Sequence, residues 1–325
     1  MSHTTVFIIP YFGKLPNYFQ LFLDSCGYNP GFDWLIFTDD DRPFRYPENV
    51  HKISMSFAEC KAMIQGHFDF EIALPSPQKL CDYKCAYGYL FREYLQKYDW
   101  WGHCDLDQIF GDLGAFLTEE MFHSFDKIGS IGHLTLYRNT PDNNRVFMEP
   151  LKGRCRYREV FTSQRGCAFD EWLPDNINDI YLESGRPVSL ENCGADVHSY
   201  HTAFRLVDYD IPRRCYQVSP IHNSVFRWEQ GKLTQFYREN GQLQHREFPY
   251  VHLQKRQMTD RRRRTDSPYY ILPTCFADGD REPEALLRKA GLRGVVNTQF
   301  FKVKWKSLKY RIKSGDWVFT NVFKT

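Results

Sequence analysis

Apolar residues fall along this chain in two kinds of run. Short unbroken runs occur at Thr5 to Pro10 (TVFIIP), Asp33 to Thr38 and Trp100 to Cys104. Their β-branched and aromatic content predicts buried strands of a parallel-type sheet. Val50 to Ile53 and Ile128 to Arg138 read as further strands, the latter entered through Gly129 and Gly132, which suit close approach of backbone and ligand. Runs of helical period lie between them: Pro16 to Ser25, opening at a proline, Ser56 to Gln65, and a long one from Lys79 to Tyr98. Strand, helix, strand at the amino end predicts a doubly wound α/β beginning, with ligands beyond the carboxyl ends of the strands. From Ser224 the pattern changes to short alternating segments, Ser224 to Glu229, Leu233 to Arg238 and Glu247 to Leu253, joined by Gln230-Gly231 and Asn240-Gly241. These predict an antiparallel meander on one edge of the sheet.

The predicted strand Trp100 to Cys104 delivers two carboxylates, Asp105 and Asp107, at its end. Alternation turns them to one side and Leu106 to the other. Two carboxylates so placed repel unless a cation lies between them, and hard oxygen ligands suit Mg²⁺ or Mn²⁺. The bare pattern says little, because 24 Asp in 325 residues give roughly 2 such pairs by chance. Four occur, at Asp39/Asp41, Asp105/Asp107, Asp208/Asp210 and Asp278/Asp280. Only the Asp105 pair follows an aromatic strand and precedes an apolar segment, Gln108 to Leu117, able to carry the chain back over a sheet; the others read as solvated turns.

Three further spots carry candidate chemistry. Lys79, Asp82 and Lys84 open the long helical run, either as phosphate and hydroxyl contacts or as a solvated charged face. Asp170 and Glu171, between Phe169 and Trp172, are either a tuned base or a helix cap. His252 and Lys255 close the last alternating segment, as a structural histidine or as a metal nitrogen beside a phosphate contact. Arg145 to Gly166 reads as helical or irregular and strongly basic. No glycine-rich phosphate loop is present, which argues against an NAD site or a P-loop.

Composition narrows the class. Hydrophobic residues make up 42% of the chain, enough for a large core, and the 17% of aromatics suit ring stacking as well as packing. A net charge of +2 gives the whole molecule no electrostatic preference, but the carboxyl end is basic: ten Lys or Arg against Asp316 alone from Arg288 onward. Phe301, Val303 and Trp305 alternate there with lysines, a surface able to rest on anionic lipid. The ten cysteines have no CxxC or zinc-ligand spacing and read as reduced thiols. The opening MSHTTVFIIPYFG is too short in apolar length for a signal peptide, and no run approaches the ~18 apolar residues of a spanning helix. The expectation is a cytoplasmic protein, peripheral on the inner face of the plasma membrane through its tail.

Taken in order, VFIIPYFG, WLIFTDD, KLCDYKCAYG, WWGHCDLDQIFGDL, IGHLTLYRNT, AFDEW and YVHLQKRQM, spanning about residues 5 to 258, resemble nucleotide-sugar glycosyltransferases of the GT-A fold, more narrowly bacterial surface-polysaccharide enzymes. The resemblance implies an α/β, Rossmann-like mixed sheet with helices on both faces, an antiparallel meander, a catalytic domain over 1–258 and a basic extension over 259–325. It implies Mn²⁺ or Mg²⁺ on Asp105 and Asp107, with His252 as a later ligand like the closing histidine of glycogenin-like transferases. Asp39 would sit by the base or ribose beside Pro10, Tyr11 and Phe12; Lys79, Asp82 and Lys84 would touch donor sugar and phosphates, and Lys255 the diphosphate. Asp170 or Glu171 would deprotonate the acceptor in an inverting reaction. The implied partners are a nucleotide-sugar donor, a UDP-sugar foremost, and a glycan or lipid-linked glycan acceptor, with no nucleic acid. The glycogenin-type His-Lys-Pro-Trp ending is absent, since Arg256 and Gln257 follow Lys255. Two other readings stand beside this one: a non-catalytic carbohydrate- or nucleic-acid-binding protein using the aromatic surface and arginine-rich tail, and a sugar-phosphate transferase.

Overall fold

The computed structural model describes residues 3–171, 173–198, 203–254, 256–265, 267–293, 301, 305, 308 and 309. Two compact units divide the chain. One comprises the residues up to Leu106 together with Leu113–Asn192; the other comprises Asp107–Asp112 and the chain from Cys193 onward.

The first unit is built on one mixed sheet, as the resemblance implies. Its strands are β1 (Thr5–Pro10), β2 (Phe32–Thr38), β3 (Val50–Ser54), β4 (Trp100–Cys104), β5 (Lys127–Ile131), β6 (Leu134–Arg138) and β7 (Val188–Ser189), in the order β3-β2-β1-β4-β6-β5-β7. The four strands β3, β2, β1 and β4 run parallel, and β6 is antiparallel to β4. The unbroken apolar runs follow from burial on both faces of the sheet. On one face Val6, Ile8, Phe37 and Trp101 join a core with Cys60 and Ile64 of the helix Phe57–Gln65. On the other, Phe7 stacks on Trp34 at 5.5 Å between ring centroids. The helix Phe57–Gln65 starts where Ser56 predicts: Ser56 Oγ accepts the Glu59 N–H while the Glu59 carboxylate accepts the Ser56 N–H.

The predicted long helix Lys79 to Tyr98 does not form. A 3₁₀ helix runs over Pro77–Ala86, a single α turn over Tyr87–Leu90, and a second 3₁₀ turn over Arg92–Tyr94. Three residues per turn eclipse positions i and i+3, and Lys79 and Asp82 use this to pair with each other in the interior, where Lys84 is also buried. The solvated charged face is therefore ruled out. Gly88 lets the α turn pack directly on Trp101, because a Cβ there would lie 2.2 Å from Trp101 Nε1. The basic segment Arg145 to Gly166 resolves into a 3₁₀ turn, Asn143–Met148, and a helix, Arg156–Thr162. Its charge is matched locally, Arg154 and Arg156 by Glu159 and Arg158 by Asp69.

The second unit holds the meander. Ser224–Glu229, Lys232–Glu239 and Gln242–Glu247 run antiparallel, and Gln230, Gly231, Asn240 and Gly241 all have positive φ, as two-residue type I′ turns require. The meander is not an edge of the first unit's sheet. It belongs to a separate six-stranded sheet with Tyr269–Leu272, Cys275–Asp278 and Thr259–Asp260. Its last strand is Gln242–Glu247, in place of the expected Glu247 to Leu253. Pro249 has no N–H to give a ladder, and Tyr250–His252 instead pairs antiparallel with Gln108–Phe110 and parallel with Ala195–Asp196. The segment from Gln108, expected to carry the chain back over a sheet, thus supplies a strand to the second unit first. Among the described residues no helix is long and apolar enough to cross a membrane. In the basic tail, the described apolar residues Phe301, Trp305 and Leu308 are exposed.

Candidate active site

In the first unit, β1 lies between β2 and β4 with all three parallel. The chain leaves β1 toward one neighbour and returns later on the other side, so the carboxyl ends of β1 and β4 flank a topological switch point, the usual ligand crevice of open α/β sheets. Phe7 pairs with Gly102. Continuing that register, Asp105 leaves β4 level with Pro10 at the end of β1.

Asp105 is held by a buried lysine. Lys84 Nζ donates to Asp105 Oδ1 at 2.8 Å and to the Gly132 carbonyl at 2.7 Å, and lies 3.4 Å from Asp170 Oδ2. Burial opposes the charge on Lys84, but Asp105, Cys81 and Asp170 more than offset it and hold the ammonium well above the usual lysine range. Asp170 is 5% exposed. Burial pushes its carboxyl up to about 7 against the pull of Lys84, with Glu171 and Asp105 adding to the rise. Glu171, next in the chain, faces solvent. Gly132 proves to be a position of close approach, though to a side chain: a Cβ there would stand 2.3 Å from Asp170 Oδ2.

The loop carrying Asp170 is clamped from below by two other residues of the 3₁₀ segment. Lys79 Nζ donates to Asp82 Oδ2 at 2.7 Å and to the carbonyls of Val160 and Arg165 at 3.0 and 2.6 Å. Asp82 accepts the backbone N–H groups of Cys167 and Phe169. Lys79 thereby directs its three N–H groups inward, and the pair sets the path of residues 165–169. Ala168 within that path has φ +47, a left-handed conformation that a non-glycine residue adopts only where surrounding contacts impose it. Asp170 caps no helix: the next one, Ile177–Glu183, is capped by Asn176, whose side chain accepts from the N–H groups of Asn178 and Asp179.

Asp39 lies exposed at the end of β2 and accepts the Gly13 N–H at 2.7 Å, tying down the loop that follows β1. Pro10 and Tyr11 in that loop are partly exposed. Phe12 turns into the core and packs on Phe57, 5.6 Å between centroids.

The second unit contributes its own constellation. Gln108 pairs with His252, and His252 with Asp196, so register alone sets the three strands around this histidine. His252 Nε2 lies 3.2 Å from Asp107 Oδ1, and Nδ1 lies 2.8 Å from Asp196 Oδ1. Gln254 Nε2 donates to both Asp196 oxygens, at 2.7 and 2.9 Å. Burial opposes charge on His252, but Asp107 and then Asp196 hold it well above the usual imidazole range. Asp196 and Gln254 were not foreseen. Nothing local marks them, since Asp196 stands 56 positions from His252 and enters only through strand pairing. Lys255 and Trp172 lie outside the described residues.

A family model described as a family of unknown function, DUF6625, matches residues 7–280 of this chain. The chain belongs to the DUF6625 family. The match takes in every candidate residue of this subsection and part of each unit. No curated protein matches the DUF6625 chain. Among solved structures it is similar to the galactosyltransferase LgtC in complex with donor and acceptor sugar analogues, at 12% identity and a TM-score of 0.29, over 59% of this chain and 75% of that one.

The donor set fits a divalent cation. In the second unit, the Asp107 carboxylate beside the His252 imidazole offers ligands that Mn²⁺ accepts. The strongest fit is at His252, where a carboxylate holds Nδ1 and turns Nε2 toward Asp107. Metal-bound histidines are commonly oriented by such a carboxylate.

Proposed function

We propose that this chain is a glycosyltransferase that takes a sugar from a nucleoside diphosphate, UDP foremost, and passes it to a glycan or lipid-linked glycan acceptor. The observation that carries the reading is Asp105: a carboxylate at the topological switch point, held by a buried lysine, followed two residues later by a carboxylate paired with a carboxylate-oriented histidine. Asp105, Asp107 and His252 would hold Mn²⁺ or Mg²⁺, which when bound supplies positive charge to the departing diphosphate.

The chain's own residues do the rest. Lys84 holds Asp105 in place, and Gly132 and Asp170 fix Lys84 in turn. Asp39, Pro10 and Tyr11 form the rim at the ends of β1 and β2 on which a nucleoside would rest. Asp82 and Lys79 act at one remove, by positioning the loop that bears Asp170 and Glu171. Of those two carboxylates, burial makes Asp170 the positioning residue and leaves exposed Glu171 to accept the proton of an acceptor hydroxyl in an inverting reaction. The exposed aromatics Phe301 and Trp305, with the neighbouring basic residues, would bring the enzyme to an anionic membrane face. Flotation with anionic liposomes, with and without the chain beyond Thr298, tests that part.

The deciding experiment is Mn²⁺-dependent hydrolysis and transfer with UDP-, GDP- and CMP-sugars, comparing wild type with Asp105→Asn and Asp107→Asn. One donor should turn over, and both variants should lose at least about a hundredfold in rate, the order expected for removing a charge-stabilising group. Glu171→Gln should lower turnover with donor affinity retained, whereas Asp170→Asn should weaken both. Phosphate left on the acceptor would mean sugar-phosphate transfer instead, and binding of glycans or nucleic acid with no donor chemistry would favour the binding-protein reading.

A further inference from the structure

Away from the switch point, the first unit brings together His3, just before β1, with Glu119 and His123 of the helix Glu119–Ser124. The two helical residues are four apart, so they share one face of the helix. One ligand atom from each of the three side chains lies within 4.8 Å of the others. His3 Nε2 stands 3.6 Å from Glu119 Oε2. Two ligand atoms each about 2.1 Å from a shared tetrahedral centre lie ~3.4 Å apart, so this pair already has nearly the spacing that Zn²⁺ sets.

Two details point to a cation rather than to chance proximity. His123 Nδ1 lies 2.7 Å from the Glu119 carbonyl oxygen. A carbonyl only accepts, so Nδ1 carries the proton and Nε2 keeps its lone pair, the tautomer a metal needs. His3 Nε2 is buried yet has no hydrogen-bond partner. Buried polar atoms of this kind are rare, and an ion accounts for one readily.

The scaffold is firm. Arg138 Nη2 donates to the carbonyls of Phe122, His123 and Phe125, closing the end of the short helix. The His3 ring packs on Phe122 at 5.7 Å, and Phe122 on Trp100 at 5.1 Å. Thr4 ties the strand entry to Asp99 and Lys97.

The geometry points to a zinc site made by His3, Glu119 and His123, distinct from the proposed donor site. Two imidazoles and one carboxylate leave a fourth position for water, and the mixture of nitrogen and oxygen favours Zn²⁺ over Mg²⁺ or Ca²⁺. Binding joins the segment before β1 to a helix more than a hundred residues later, so it stabilises the fold by mass action.

The test uses the full chain carrying Asp107→Asn, to remove competition from the donor site, titrated with ZnCl₂ by calorimetry and followed by thermal unfolding. The expected result is one equivalent of Zn²⁺ bound, with a rise of a few degrees in Tm (~2–4 °C per kcal/mol for a unit of this size). His123→Ala and Glu119→Gln, substitutions on the outer side of the helix, should weaken binding more than about tenfold and abolish the rise, and His3→Ala should do the same. Unchanged stoichiometry and Tm shift in His123→Ala would overturn the site even if His3→Ala failed to fold. So would saturation only near ~1 mM Zn²⁺, the affinity of scattered surface groups.

Discussion

Lys84 and Lys127 show how one side-chain type takes opposite roles within the first unit. Lys84 is buried among carboxylates and stays charged. Lys127 is buried with none: its ammonium meets the Gly129 carbonyl, the Asn178 side chain at 2.6 Å and the faces of Tyr137 and Tyr181. Burial pulls it down to about 7, against a small opposing effect of Cys85. Between about pH 7 and 10.5 the unfolded chain therefore holds a proton at Lys127 that the folded chain has released, and stability gains about 1.4 kcal/mol for each unit of rising pH from this group. Below about pH 7 both states are protonated and the gain is gone. Buried tyrosines and cysteines titrate in the opposite sense nearby, so the difference between wild type and Lys127→Met isolates it. Urea unfolding from pH 7.5 to 9.5 should show that difference growing with pH, and parallel stability curves would contradict it.

At the scale of elements, the 3₁₀ segment Pro77–Ala86 organises the site. A regular α-helix would not have eclipsed Lys79 and Asp82 as the three-residue turn does. The tighter winding sends all three inward, Lys84 to Asp105 and the Lys79–Asp82 pair to the loop before Asp170. Asp82→Ala should cost about 3–5 kcal/mol, because it leaves the Lys79 charge buried without its carboxylate and two backbone N–H groups without an acceptor. Hydrogen exchange offers a sharper reading than stability alone. The amides of Cys167 and Phe169 should exchange much faster in the variant, while those of β1 and β4 change only as far as global stability does. Retained protection at residues 167–169 would mean that the loop is held by something else.

For the molecule as a whole, chain order and spatial order do not coincide. The strand Gln108–Phe110 lies within the sequence of the first unit but completes the three-stranded sheet of the second, where the Phe110 carbonyl also accepts from Trp228 Nε1 at 2.8 Å. A fragment from residue 193 onward would lack the antiparallel partner of Tyr250–His252. It should give no cooperative thermal transition by circular dichroism, while the intact chain should; a sharp transition in the fragment would show the inserted strand to be dispensable.

Much of this protein is determined locally. The strands β1, β2 and β4 read directly from unbroken apolar runs, because burial on both faces leaves no polar alternation. The helix from about Ser56 and the glycine-bearing hairpin turns read just as directly, because their signals act over a few residues. The position of Asp105 and Asp107 just past the end of a buried strand was legible for the same reason. Long-range pairing decided what remained. Winding of residues 77–86 depended on partners that lie eighty residues away, and the fate of Asp170 on a lysine and a glycine from two other elements. Asp196 reached His252 through strand register, which hydrogen bonds between distant segments select and no local pattern encodes. His3 and His123 met through packing of the helix Glu119–Ser124 beside the entry to β1, which only the folded chain establishes.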